Sequence, residues 1–389
     1  MKPLLLPILL TALLCGCQSK ISHPLMTPSS FKPVEEYVSF NEYVEKTAGE
    51  LRSNRYFLTD NHEQELKANL PFEVKPLGSP AQRRGILLIH GLGDSPWSFV
   101  DISQSLAEQG FLVRTVLLSG HGTRPADLIN ADFRDWQTLV EKQVALLKQE
   151  VDEVYLGGFS TGGNLAFLYA EKDNDIRGLM LFSPGFQTDE PLISLTPAAA
   201  LFRDWLRSEV PGTQTNIARY FQTPTNGFAQ YYQTSKRVLD SLEDDDFDRP
   251  VFMVLTEHDS VLEVNEIRRL FNERFTHPDN RLMWFGSEPS AATDREIVVN
   301  GRMPEFRISN MSHMGILFSP ENSYYGINGT ERICRNGQEV LDAMAFCQQG
   351  NPVWYSAWGY QEEGKVHARL TFNPVFEQMM EEAFSVFDL

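Results

Sequence analysis

Along the 389 residues, apolar positions gather into short unbroken runs that alternate with stretches in which they recur every three or four residues. The unbroken runs fall at 85–90, 111–117, 154–159, 178–184, 250–255 and 281–285. A run of this length with no polar alternation reads as a strand buried on both faces. Between the runs, Phe133, Trp136, Val140, Val144 and Leu147 form one helical stripe, and Val264, Ile267 and Leu270 another. Strands alternating with helices predict an α/β chain: a mostly parallel central sheet with helices on both faces. Residues 71–75 read as an edge strand. Ser95-Pro96 opens a helix with the serine as its cap, and Gly110 stops it. Val44, Leu51 and Phe57 suit a short helix and turn. Val298-Val299-Asn300-Gly301 carries a hairpin signal, and 373–387 closes the chain as a helix on the sheet.

The rhythm stops between Phe186 and Arg249. There Ala198, Leu201, Phe202, Trp205 and Leu206 lie at helical spacing, as do Phe228, Tyr231, Tyr232, Leu239 and Leu242, with Asn226-Gly227 as a break between the two stripes. An insertion that follows a strand end belongs over the C-terminal edge of the sheet, where α/β sites lie. Residues of about 187–249 are therefore expected to form a helical cap.

The first residues have a different character. Lys2, an apolar stretch at 4–14 and Leu14-Cys15-Gly16-Cys17 read as a signal peptide over 1–16, too short to span a bilayer. Its end is similar to the lipobox of bacterial lipoproteins, which implies lipidation of Cys17, with Gln18 after it pointing to the outer membrane. The polar, proline-bearing stretch 17–39 suits a lipidated tether, with the folded domain over 40–389. A net charge of −18 excludes nucleic acid as a partner and gives no attraction to anionic headgroups. Attachment to the membrane of the cell envelope is thus expected through the lipid. In that oxidising compartment Cys334 and Cys347 are free to form a disulfide. A short stripe of Val340, Leu341 and Met344 between them is expected to pack on the core. No cysteine and histidine spacing suggests a metal site, and no cofactor is implied.

The chemistry gathers at Gly158-Phe159-Ser160-Thr161-Gly162, where the run at 154–159 breaks and resumes as a helical pattern. A strand turning sharply into a helix strains the backbone of Ser160, and glycines flank it because a side chain at either place would strike the neighbouring strand or helix. The turn also puts the Thr161 amide at a helix start, where unpaired N–H groups favour negative charge. A serine hydroxyl needs a base to take its proton and a carboxylate to hold that base. Asp259 follows the run at 250–255, and His313 lies in a loop after 281–285. Glu257, closer to the strand end, competes for the acid role, and His258 for the base. The second oxyanion donor is expected to be the Leu92 amide. His90 and His121 border the presumed site, more in keeping with shaping its loops than with moving protons.

His90-Gly91-Leu92-Gly93, Gly120-His121-Gly122, the glycine-flanked Ser160, Asp259 and His313 together resemble the α/β-hydrolases of the monoacylglycerol lipase, carboxylesterase and serine-aminopeptidase-like group. The resemblance covers roughly 85–315 and implies an α/β-hydrolase fold with Ser160, Asp259 and His313 as the triad and Leu92 and Thr161 as the oxyanion hole. It implies a serine hydrolase acting on carboxylic esters. The rival readings are a serine peptidase, since the same triad serves amides, and a catalytically silent envelope lipoprotein that uses the fold for binding. The apolar stripes of the insertion, placed over Ser160, favour an acyl chain, and the acidic balance favours neutral esters of short to medium chains, monoacylglycerols among them.

Overall fold

The computed structural model describes residues 23–78, 82–206, 214–338 and 341–389. In chain order the elements are α1 (Phe40–Asn54), α2 (His62–Lys67), β1 (Glu73–Val74), β2 (Arg84–Ile89), α3 (Val100–Glu108), β3 (Phe111–Val116), α4 (Phe133–Lys148), β4 (Glu153–Phe159), α5 (Thr161–Lys172) and β5 (Ile176–Phe182). They continue as α6 (Thr196–Ala200), α7 (Thr225–Asp244), β6 (Val251–Thr256), α8 (Val264–Arg274), β7 (Arg281–Phe285), β8 (Glu296–Val299), α9 (Leu341–Gln348), β9 (Trp354–Ser356), β10 (His367–Arg369) and α10 (Phe376–Val386). Eight strands form one sheet in the order β1-β3-β2-β4-β5-β6-β7-β8, all parallel except the antiparallel edge β1.

The apolar runs become strands because both faces of the sheet are covered. Along β2, Ile86 and Leu88 point into a core shared with Ile102 and Leu106 of α3 and Met379 and Met380 of α10. Leu87 and Ile89 point the other way, into a core shared with Trp136 and Val140 of α4, Leu165 of α5 and Ile267 of α8. Parallel strands leave no room for a tight turn, so each pair needs a crossover of a dozen or more residues, and the helices are those crossovers.

Several expectations are corrected. The expected tether does not extend to residue 39: Leu25 and Met26 are buried, and Ser29 donates to Asp127 through its N–H (2.6 Å) and hydroxyl (2.8 Å). Ser29 and Ser30, among the residues that suggested a flexible linker, instead hydrogen-bond to Asp127 and Asn54 of the domain. Residues 1–22, with Cys17, lie outside the described residues. Ser95 precedes a short 3-10 turn over Pro96–Phe99 and does not cap it; its hydroxyl donates to the Ala68 carbonyl. Asn226-Gly227 marks no break but lies in the first turn of α7, where the Asn226 amide donates to the Leu128 and Ala131 carbonyls. The hairpin signal at 298–301 gives a strand parallel to β7, because an edge position was open there.

The insertion divides into two unlike parts. α7 is the crossover between β5 and β6: its Val238 and Leu242 share the core of α4 and α5, and its Thr234 accepts a hydrogen bond from Asn164 of α5 (3.0 Å). The stripe through α6 does not form, since Leu201, Phe202 and Leu206 are exposed, Phe202 at 89%. Residues 214–221 fold back onto the domain. There the Ile217 carbonyl accepts from Arg55, whose guanidinium also donates to the Gly122 carbonyl and pairs with the buried Glu65 at 2.8 Å. Removing one partner of such a buried pair costs about 3–5 kcal/mol, so α1 and α2 hold the insertion in place.

Beyond His313, β9 and β10 pair in a small separate parallel sheet. Cys334 and Cys347 are joined in a disulfide, their Cα atoms 5.7 Å apart, and Cys347 packs on Val353 and Ala368. The stripe expected in this segment does not pack: Leu341 is exposed, and Val340 lies outside the described residues. The covalent link, with its sequence separation of 13, therefore does the work assigned to apolar packing. Restricting the unfolded chain this way stabilises by about 2–4 kcal/mol. The Cys334→Ser/Cys347→Ser variant is expected to lose that amount in urea unfolding, and an unchanged midpoint in the variant would contradict it.

Candidate active site

Ser160 sits between the end of β4 and the start of α5 with φ 52° and ψ −119°, a conformation that L residues avoid. Such strain costs about 1–3 kcal/mol and persists only where the surroundings over-determine it. Four backbone bonds do so. The Ser160 N–H donates to Phe182 O (3.1 Å), and its carbonyl accepts from Gly163 (2.9 Å), Asn164 (3.3 Å) and Gly185 (2.9 Å). The flanking glycines are required sterically: a Cβ on Gly158 would overlap the Gly162 backbone, and one on Gly162 would overlap the Ile89 carbonyl. β2, β4 and α5 thus meet with no space for a side chain, and Ser160 is pushed out at the junction.

The carboxylate that meets His313 is Asp259. Its Oδ2 lies 2.6 Å from His313 Nδ1, while its Oδ1 accepts from the Val261 (2.9 Å) and Leu262 (3.2 Å) amides. With both oxygens occupied the carboxylate is fixed, and an Nδ1–H donated to it leaves Nε2 as the free base of the imidazole. Glu257 is turned away, accepting from the N–H (2.7 Å) and hydroxyl (2.6 Å) of Ser287. His258 lies by Glu257 and Tyr360. The ring of Phe159, the residue before Ser160, lies 4.8 Å from the His313 ring, which brings His313 and the serine turn together.

The loop after β2 completes the arrangement. A Cβ on Gly91 would stand 3.1 Å from the Ser160 Cβ, so this backbone passes directly over the serine. Gly93, with φ +71°, turns the chain there. Among the described residues neither the Leu92 nor the Thr161 N–H donates to another group. Two amides without an acceptor among the described residues thus lie near Ser160 in the chain, one in the loop over it and one at the helix start.

His90 and His121 shape this loop. The Leu118 N–H donates to His90 Nε2 (3.1 Å), and His90 Nδ1 lies 2.8 Å from the Gly91 carbonyl. The Gly93 N–H donates to His121 Nε2 (2.9 Å), and His121 Nδ1 lies 3.1 Å from the Leu118 carbonyl. A nitrogen that accepts an N–H carries no proton, so both rings are neutral and protonated at Nδ1. Burial pushes His90 down to about 4 and His121 to about 3.

The His313 loop is held from a part of the chain that carried no functional expectation. The Ser312 hydroxyl donates to the Leu370 carbonyl (2.6 Å), the Ser309 N–H to Tyr355 O (2.9 Å), and the Ala357 N–H to Asn310 Oδ1 (2.8 Å). Residues 355–370 thus grip both ends of 309–312. No periodicity in those short strands signals this.

This strand order, a nucleophile turn after β4, a carboxylate after β6 and a histidine loop further on define the α/β-hydrolase fold. Residues 80–247 match the family model described as "Serine aminopeptidase, S33". A thermostable monoacylglycerol lipase of Bacillus sp. (strain H-257) is 30% identical over 148 residues, 38% of this chain, and the match spans 59% of that enzyme's length. Among solved structures, a Paleococcus ferrophilus monoacylglycerol lipase is similar over 56% of this chain and 89% of its own, at 19% identity and a TM-score of 0.44. A soluble variant of monoglyceride lipase from Saccharomyces cerevisiae is similar over 59% of this chain and 85% of its own, at 16% identity and a TM-score of 0.43.

The neutral histidines have a consequence for stability. Between about pH 6.5 and 4 the unfolded chain takes up protons that folded His90 and His121 refuse, so stability falls as pH drops through that window, by an amount on the order of a few kcal/mol. His121→Gln keeps an acceptor for Gly93 but does not titrate. Its urea midpoint is expected to fall less between pH 7 and 4.5 than that of the wild type; an equal fall would contradict the assignment.

Proposed function

We propose that the protein hydrolyses carboxylic esters through a covalent acyl-enzyme on Ser160. The observation that carries this reading is the Asp259–His313 pair at 2.6 Å, brought beside a strained serine and two free amides. The Ser160 hydroxyl attacks the ester carbonyl while its proton passes to His313 Nε2, and Asp259 stabilises the imidazolium. The new oxyanion accepts from the Leu92 and Thr161 N–H groups. Collapse breaks the bond to the alcohol, which leaves with the proton from His313. Water then repeats the sequence on the acyl group and frees Ser160. The similarity to a monoacylglycerol lipase supports monoacylglycerols among the substrates.

Ser160→Ala is expected to abolish ester turnover with an unchanged unfolding curve. Asp259→Asn should lower kcat by about 10³–10⁴-fold, since the histidine would lose its tautomer. Wild-type turnover in Ser160→Ala would refute the assignment. Faster cleavage of aminoacyl amides than of esters would favour a peptidase, and no turnover of either a silent binding module.

We also propose that the mature chain begins at an acylated Cys17 and is held in the outer membrane of the envelope. Leu25 and Met26 are already packed on the domain through the turn at Pro24–Met26, so the stretch from Cys17 to Leu25 reaches at most about 29 Å. Cys17→Ser is expected to move the protein from the membrane to the soluble fraction with its activity retained. An unmodified Cys17 in the N-terminal peptide of protein isolated from membranes would contradict this.

A further inference from the structure

The outward face of α6 has the opposite character to that of an ordinary surface helix. A 3-10 turn over Ile193–Leu195 runs directly into α6, and both pack on α7. Along this run Thr196 is buried and Ile193, Ala199 and Ala200 are half-buried, whereas Leu192, Leu195, Ala198, Leu201 and Phe202 are exposed. The exposed positions recur every three residues, so they form one stripe that points away from α7. Polar residues normally occupy that side. The four large side chains of the stripe are exposed at between 59% and 89%. Single apolar residues at a surface need no explanation, but a run of them on one face marks a surface that meets a partner.

Charge, length and position identify that partner as a lipid bilayer. In a chain of net charge −18, the stretch 191–206 carries only Arg203 and Asp204, which cancel. The stripe is therefore a neutral apolar patch on an acidic protein, suited to acyl chains and to headgroups without net charge. No helix among the described residues is long and apolar enough to cross a membrane, and α6 has five residues, so the fit is to the boundary between headgroups and acyl chains. The chain also enters the domain close by. The turn at Pro24–Met26 lies against a 3-10 turn over Pro125–Asn130, whose Leu128 carbonyl accepts from Asn226 in the first turn of α7 (2.9 Å). The Thr225 N–H, at the start of α7, donates to the Asp204 carbonyl just after the stripe (2.8 Å). A lipid on Cys17 would thus draw this side of the domain to the membrane; that argument rests on the lipidation of Cys17, while the stripe does not. α7 connects the same surface to the candidate active site, since a Cβ on Gly185 would stand 2.9 Å from the Tyr231 ring and 3.1 Å from the Ser160 carbonyl carbon.

We propose that Leu192, Leu195, Leu201 and Phe202 seat the domain on a lipid bilayer, with the acyl chains as the occupant of the stripe. Burial of apolar surface drives the seat, and the acidic remainder of the domain stays in water.

The test uses flotation with phosphatidylcholine vesicles and the Cys17→Ser protein, or the wild type should Cys17 prove unmodified. It is expected to float with the vesicles equally well at low and at high salt, because charge does not drive the contact. Leu201→Ser/Phe202→Ser in the same protein should lower the vesicle partition coefficient about tenfold or more. Both side chains are exposed, so the unfolding midpoint and the turnover of a short water-soluble ester should not change, whereas turnover of an ester embedded in the vesicles should fall. A polarity-sensitive fluorophore on Phe202→Cys should shift to the blue when vesicles are added. The same fluorophore on Val38→Cys should not, because Val38 is exposed beside the groove that Ser39 shares with Arg84 and Gly110, at the starts of β2 and β3. Failure to float, a partition coefficient unmoved by the double variant, or binding that needs anionic lipid and is lost at high salt would overturn the proposal. A dimer that the same substitutions dissociate would overturn it too, by showing that a second copy covers the stripe. Absence of ester turnover would overturn the hydrolase reading instead, and flotation and the fluorophore would still decide this one.

Discussion

The backbone of Ser160 is the constraint on which the rest depends. A residue at φ 52° is held only because β2, β4, β5 and α5 converge on it, and they converge only because Gly158 and Gly162 remove the side chains that would keep them apart. The same closeness lays the Gly91 backbone over the serine, and among the described residues the Leu92 and Thr161 amides have no acceptor. Strain, glycine placement and free donors are therefore one feature of the packing, seen at three points in the chain. A change that relaxed the turn would move the Ser160 hydroxyl and both amides together.

Around that junction the parts that look peripheral are the ones that fix the remaining groups. The buried Arg55–Glu65 pair ties α1 and α2 to the Gly122 and Ile217 carbonyls. The insertion in turn meets the loop after β2 where the Tyr220 N–H donates to the Gly93 carbonyl (2.6 Å). On the other side, residues 355–370 hold the His313 loop, and the disulfide closes the segment that carries them. The N-terminal helices thus support the loop after β2 through the insertion, and the C-terminal extension supports the His313 loop, which gives a physical reason for their presence in a fold that needs neither for its sheet.

Much of this was legible in the sequence, and the boundary has a physical cause. Strands buried on both faces announce themselves as unbroken apolar runs, so the order from β2 to β7 follows from pattern alone, and the elbow follows from glycine spacing. The sequence left Asp259 and Glu257 as competitors, because two carboxylates near one strand end differ only in where the turn points them. What was misread involves contacts between segments far apart in the chain. Ser29 and Ser30 looked like a linker because their partners Asp127 and Asn54 lie elsewhere. Phe202 looked like a core residue because spacing reports which side chains share a face, not whether anything covers it. The grip of Leu370 on Ser312 leaves no local trace.

The central claim is that Ser160 is the acylated nucleophile of this site. Treating the native protein with an alkyl fluorophosphonate and mapping the adduct by peptide mass spectrometry tests it most directly, since the reagent reports nucleophilicity without presuming a substrate. The account predicts one adduct, on Ser160, that fails to form in His313→Ala although the protein stays folded. An adduct on another residue with Ser160 unmodified, or labelling of Ser160 that is indifferent to His313, would contradict it.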